Sequence, residues 1–183
     1  MSVLWTPDDF AAAVAGRAAG PDLAPVTGVS IDTRTLEPGD AFFAIKGDRF
    51  DGHDFVAAAL EKGASVAVIG EDHAAKFDPA PGTLMIVPDV LDALRRLGQA
   101  ARARTRARII GITGSVGKTG TKEALRIALS RSGATHASVA SYNNHWGVPL
   151  TLARMPAETE YGVFEMGMNA PGEIAALTRQ GRP

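Results

Sequence analysis

The chain has 183 residues, 45% hydrophobic and 21% charged, the balance of a soluble globular protein with room for one large domain or two small ones; disordered and collagen-like chains are excluded. A net charge of −1 gives no electrostatic ground for binding nucleic acid or an anionic membrane. The lack of cysteine excludes disulfides, thiolate metal sites and cysteine nucleophiles. No apolar run approaches the ~18–20 residues of a membrane span and the first residues lack a basic leader segment, so a cytoplasmic location is expected, with an aliphatic core because aromatics are only 6%.

Thr6 as N-cap, Pro7 at the first helical position and Asp9 at capping-box spacing open a helix that the alanine-rich run Phe10–Ala19 extends until Gly20-Pro21. Strands are expected at Val26–Ile31, Ala41–Ile45, Ser65–Ile69 and Thr83–Val87. A short helix is expected at Phe55–Lys62, closed by Gly63, and a longer one at Asp89–Arg104. The rhythm tightens near residue 105: strand Arg108–Thr113, helix Thr119–Ser130, strand Thr135–Ala140, a loop, strand Tyr161–Glu165, helix Pro171–Arg179. Strand–helix–strand spacing of this kind predicts a parallel sheet with crossover helices, and so an α/β fold with a domain boundary between about residues 85 and 107. Three strands make a thin parallel sheet, since such sheets want helices on both faces, and a further strand is expected after Pro183.

The sharpest chemical signal is Gly111-Ile-Thr-Gly-Ser-Val-Gly-Lys-Thr119, a hydrophobic strand that runs into a glycine turn and then a helix. Backbone N–H groups and a helix N-terminus converge in such a turn and can cradle a phosphate. Lys118 would reach the β/γ-phosphates and the Thr119 hydroxyl a Mg²⁺ ion. The full G-x-x-x-x-G-K-[ST] spacing fails, because its first glycine would fall on Ile112, and only the core Gly114-x-x-Gly117-Lys118-Thr119 is kept. The ATP-binding residues expected are therefore Thr113, Gly114, Ser115, Val116, Gly117, Lys118, Thr119 and Gly120.

Three further segments are open to two readings each. Glu165 closes a strand and is either a second metal ligand or a solvated strand-end carboxylate. Ser141-Tyr-Asn143-Asn144-His145-Trp-Gly147 is either a polar binding loop or an ordinary turn. Ser30-Ile-Asp32-Thr33-Arg34 and Lys46–His53 each follow a strand; they either border one pocket for a phosphate or carboxylate, or are plain turns. The arginines at 95, 96, 102, 104, 106 and 108 read as a solvated face near a helix end. His73 and His136 have no companion at ligand spacing.

Together these segments resemble the Mur ligases of peptidoglycan synthesis. Gly111–Thr119 resembles the family's ATP loop, while Ser30–Arg34 and Phe50-Asp-Gly-His-Asp-Phe55 are similar to its UDP-sugar domain. Asn143-Asn-His-Trp-Gly-Val-Pro-Leu-Thr-Leu152 and Glu165-Met-Gly-Met-Asn169 resemble the branch that joins UDP-N-acetylmuramoyl-tripeptide to D-alanyl-D-alanine. The resemblance implies a UDP-substrate domain over residues 1–85, a helix and linker over 86–107, and the first part of a P-loop parallel-sheet domain over 108–183. It implies ATP and Mg²⁺ as cofactors, Lys118 and Glu165 as catalytic residues, and Thr119 and Glu165 as metal ligands. Ser30, Asp32, Thr33, Arg34, Lys46, Asp51, Gly52, His53, Asn143 and Asn144 would hold the UDP substrate.

Two departures from the family pattern stand out. Position 120 is glycine where the family usually has a hydroxyl residue, and the family's chain continues with adenine contacts, a modified lysine and a third domain. The 183-residue chain alone is therefore expected not to catalyse ligation. Another branch of the family, a folylpolyglutamate-synthetase-like ligase and a non-catalytic UDP-sugar-binding module are the alternatives that the residues leave open.

Overall fold

The computed structural model describes residues 2–47, 49–139, 142–168 and 170–183. Asp48, Ser141 and Asn169 of the motifs above, and Ala140 at one expected strand end, lie outside the described residues. The chain divides into two compact units, Met1–Arg96 and Leu97–Pro183. Both are mixed α/β with parallel strands; an α/β fold is expected of both, whereas the strand–helix rhythm predicts a parallel sheet only for the second.

The first unit holds α1 (Pro7–Val14), β1 (Arg17–Ala19), β2 (Gly28–Ser30), β3 (Asp40–Phe43), α2 (Val56–Glu61), β4 (Val66–Gly70), β5 (Leu84–Val87) and the start of α3 (Val90–Ala103). Single 3₁₀ segments precede α2 (Gly52–Phe55) and follow β4 (Glu71–Phe77). The sheet order is β1-β5-β4-β3-β2, parallel from β2 through β5, with β1 antiparallel on β5. Phe42, Ala67, Ile69, Leu84 and Ile86 form one core layer with Val56 and Ala59 of α2. Phe43 turns to the opposite face, where its ring meets Phe10 of α1 edge-on at 6.2 Å.

The N-terminus of α1 forms as expected: Thr6 Oγ1 accepts from the Asp9 N–H at 3.2 Å, and Pro7 takes the first position. Its end does not. The helix stops at Val14, Ala15 adopts φ 52°, and Arg17–Ala19 becomes a strand paired with Leu84–Ile86. Alanine's helix preference is worth only tenths of a kcal/mol per residue, and pairing along a buried strand overrides it. The core is aliphatic in the main, as expected. Four phenylalanines, Phe10, Phe42, Phe43 and Phe164, are also among its fully buried side chains, while Phe50 and Phe55 are exposed.

The second unit runs β6 (Arg108–Ile112), α4 (Lys118–Leu129), β7 (Thr135–Ala137), α5 (Gly147–Ala153), β8 (Tyr161–Glu165) and α6 (Glu173–Gly181). Its sheet is fully parallel in the order β6-β8-β7. Successive residues of β8 point to opposite faces. Phe164 packs with Val148 and Leu152 of α5 and Leu177 of α6, while Glu165 turns towards α4. Three strands are therefore covered on both faces, contrary to the expectation of too thin a sheet. Helix α5 was not legible either: its Gly, Pro and Asn-rich approach reads as a turn, yet all seven of its residues are buried.

Candidate functional site

Strand β6 and strand β8 end side by side, Ile112 in register with Glu165. The glycine loop leaves β6 there and enters α4 at Gly117, whose φ of 80° is the left-handed region that glycine adopts without strain. The first turn of α4, Lys118 to Gly120, carries N–H groups without intrahelical acceptors, which suits an anion. Lys118 Nζ donates to the Gly114 carbonyl at 2.7 Å, so the ammonium lies across its own loop rather than away from it. The loop is open: an added Cβ at Gly117 or Gly120 would meet no atom within 4 Å, and Val116 is 90% exposed.

Beside the loop, Thr119 Oγ1 donates to Glu165 Oε2 at 3.0 Å and Asn143 Nδ2 donates to Glu165 Oε1 at 2.8 Å. Glu165 is only 2% exposed, which overturns the solvated strand-end reading. The structure thus gathers Lys118, Thr119, Glu165 and Asn143 at the carboxyl ends of neighbouring parallel strands, where open α/β sheets bind ligands. Asn144 is used differently: its Oδ1 accepts from the Gly147 N–H at 2.9 Å and closes the turn into α5.

In the first unit, the two other clusters leave the carboxyl ends of adjacent strands β2 and β3. Ser30 is fully buried and bonds back to Asp32, its hydroxyl donating to the Asp32 carbonyl at 3.0 Å. The Arg34 guanidinium pairs with both Asp32 oxygens, with Nη2–Oδ2 at 2.6 Å, and this hydrogen bonding holds the Asp32 carboxyl below its ordinary value. Lys62 Nζ donates to the Thr33 carbonyl at 2.7 Å. Lys46 and Asp51 form an isolated antiparallel bridge, and Lys46 stays exposed.

His53 is buried, with both ring nitrogens committed. Nε2 accepts from the buried Gly70 N–H at 2.9 Å, which fixes the Nδ1–H tautomer, and Nδ1 then donates to Asp51 Oδ1 at 2.6 Å. Burial alone would raise the Asp51 carboxyl; the bonds it accepts from the His53 N–H and ring outweigh it and hold it low. His73, which the sequence leaves without a companion, stacks on His53 at 3.8 Å and lies 3.3 Å from Asp51 Oδ2. Asp51, His53 and His73 bring ligand-type atoms within 4.8 Å of one another. The committed nitrogens of His53 leave it no lone pair for a metal, so this cluster is a hydrogen-bonded latch on the loop.

Sequence reasoning missed Lys122, buried in α4, and Ser138 just past β7. The available signal was spacing, because Lys122 stands one turn beyond Lys118 on the same helix face. The arginine cluster is also only partly the solvated face expected. Arg102 donates to the Gly181 carbonyl at the end of α6 and Arg104 to the Met155 carbonyl, so both tie the second unit together. A cleft of about 510 Å³ lined by Arg104, Arg106, Arg108, Glu158 and Glu160 lies at the amino ends of β6 and β8, opposite the loop edge. Its mixed charge fits no single ionic ligand.

Comparison with known proteins bears on both units. Residues 25–105 match the family model described as Mur ligase family, catalytic domain, and residues 112–181 match the Mur ligase middle domain. The chain is 42% identical over 158 residues to the UDP-N-acetylmuramoyl-tripeptide–D-alanyl-D-alanine ligase of Bacillus subtilis, covering 86% of this chain and 34% of that protein. It is 39% identical over 155 residues to the Escherichia coli ligase of the same name, covering 85% of this chain and 33% of that protein. A crystal structure of MurF from Acinetobacter baumannii superimposes with a TM-score of 0.82 at 35% identity, over 98% of this chain and 39% of that one. A Thermotoga maritima MurF ligase in complex with ADP superimposes with a TM-score of 0.65 at 29% identity, over 85% of this chain and 35% of that one. The chain thus spans about a third of the length of the relatives it matches. Because its two units match successive domains of one family, and the relatives agree, the chain belongs to the Mur ligase family.

Proposed function

We propose that the whole protein to which this chain corresponds is a cytoplasmic, ATP- and Mg²⁺-dependent ligase that joins UDP-N-acetylmuramoyl-tripeptide to D-alanyl-D-alanine. The tripeptide carboxylate resists attack by an amine until one of its oxygens becomes a good leaving group. It would take the γ-phosphoryl group of ATP, releasing ADP, and the D-alanyl-D-alanine amine would then displace phosphate to form the amide. Two anions must meet in the first step, which makes positive charge at the loop the central requirement.

The observation that carries this reading is the meeting of Thr119, Glu165 and Lys118 beside an open glycine loop. A hydroxyl and a buried carboxylate are the hard oxygen donors that Mg²⁺ prefers, so the residues fit the ion. Bound there, Mg²⁺ would supply charge neutralisation of the phosphates. Lys118 would exchange its bond to the Gly114 carbonyl for a phosphate oxygen, and Asn143 would hold Glu165 in place through Oε1. In the first unit, Arg34 and Lys46 would face the anionic diphosphate of the UDP substrate, with Ser30, Asp32, Thr33, Asp51 and Gly52 shaping their loops. His53 would act from behind, as the latch of its loop.

Limited proteolysis with and without Mg²⁺ and ATP-γ-S tests the nucleotide part. Protection of the unaltered chain but not of Lys118→Ala is expected; equal cleavage of both, with or without nucleotide, would overturn it. The isolated chain is not expected to form the amide, which an assay with both substrates, ATP and Mg²⁺ checks.

A further inference from the structure

Lys122 is 1% exposed, yet it lies in the helix that begins at the glycine loop. Its ammonium donates to the Ser138 carbonyl at 2.8 Å and lies 3.1 Å from Glu123 Oε1, a side chain that is itself 43% exposed. Ser138, only 2% exposed, is held at its other end as well: its hydroxyl accepts the Glu165 N–H at 3.2 Å. Glu165 is therefore gripped twice from α4. Thr119 bonds its carboxylate directly, and Lys122 fixes the residue that receives its backbone N–H.

Burying an ammonium costs free energy that a methionine of similar length would not incur, and its partners offset that cost only in part: the Ser138 carbonyl is neutral and the Glu123 carboxylate is half-exposed. Packing alone gives no reason for a lysine here. We propose that Lys122 is a positioning residue that, through Ser138, sets Glu165 for a metal–nucleotide ligand. The proposal rests on the reading of the loop as a nucleotide and Mg²⁺ site. It extends that reading to a residue that touches neither the nucleotide nor the metal, since supports of metal ligands govern metal affinity.

The test measures binding of ADP with and without Mg²⁺ to the 183-residue chain, together with thermal melting. Lys122→Met is expected to weaken Mg²⁺-dependent ADP affinity about tenfold and to leave metal-free affinity within about twofold. Its melting temperature is expected to stay within about 4 °C of the unaltered chain or to rise, because loss of the buried charge offsets loss of the bond. Ser138→Ala should weaken the Mg²⁺-dependent affinity in the same direction. The proposal is overturned if Lys122→Met binds Mg²⁺–ADP as well as the unaltered chain. It is equally overturned if that variant unfolds or loses both affinities alike, which would make Lys122 a support of the fold. No Mg²⁺-dependent binding by the unaltered chain, or none lost in Lys118→Ala, would instead remove the nucleotide reading and this inference with it.

Discussion

Ile112 and Glu165 form the last pair of the β6–β8 ladder, so the strand that launches the glycine loop ends beside the carboxylate that meets Thr119. A one-residue slip in that ladder would turn Glu165 to the other face of the sheet, into the layer of Phe164 and Leu177. Register between two strands thus puts the proposed metal ligands together. Glu165→Gln removes the charge with little change in shape and should weaken Mg²⁺-dependent nucleotide binding by at least about tenfold, or about 1.4 kcal/mol. Thr119→Val should act in the same direction. Isothermal titration with ADP and Mg²⁺ reads both, and unchanged affinity in either would exclude that residue as a ligand.

Gly120 stands in the first turn of α4 with open space where a Cβ would go. Gly120→Ala should therefore stabilise the second unit by about 0.5–1 kcal/mol, through helix preference and a less free unfolded chain. Urea unfolding checks it; a destabilised variant would mean that the glycine is needed for loop geometry.

Gly167 is the opposite case. A Cβ there would lie 2.9 Å from Cγ and Oδ1 of Asn143. Gly167→Ala should push that amide off Glu165 and cost about 1–3 kcal/mol, as overpacking does. The same unfolding experiment, with Asn143→Ala added to test whether the two effects overlap, measures it.

Removing the ring of His53 leaves the buried Gly70 N–H without its acceptor and opens a hole behind the loop. His53→Ala should cost at least about 2 kcal/mol. Because both ring nitrogens are already in use, Zn²⁺ should leave the melting temperature of the unaltered chain where it is. A clear rise with Zn²⁺ would show that the latch gives up its bonds to a metal.

His136 donates Nε2–H to the Thr151 carbonyl at 2.8 Å, and its burial pushes the imidazole below the ordinary 6.5. The unfolded chain then takes up the proton first. The stability due to the neutral ring is complete above pH 6.5 and is lost as pH falls from there through the lower folded value. One site can contribute at most about 1.4 kcal/mol per pH unit. Urea midpoints across this range should fall more steeply for the unaltered chain than for His136→Gln, and parallel curves would refute the assignment.

Much of this was readable from residue order, where local chemistry and tertiary packing agree. The Thr6-Pro7-Asp9 cap, the Tyr161–Glu165 strand and the turn into Lys118 each carry their own signal, and the structure forms all three. The failures occur where long-range contacts decide. The strand Arg17–Ala19 exists because β5 lies beside it, and its own alanines argue for helix. The stacking of His53 on His73 spans twenty residues of sequence and depends on β4 bringing the two segments together. Burial of Lys122 is hidden for the same reason, since lysine in an amphipathic helix reads as surface until β7 is placed against it.

The resting partner of Lys118 is a main-chain oxygen, the Gly114 carbonyl, and no side-chain replacement can take that oxygen away. An incoming ligand has to outcompete a neutral dipole for a full positive charge, a contest that a polyphosphate wins and an uncharged nucleoside does not. On the proposed reading, this contact favours the charged tail of a nucleotide before any base or sugar is recognised.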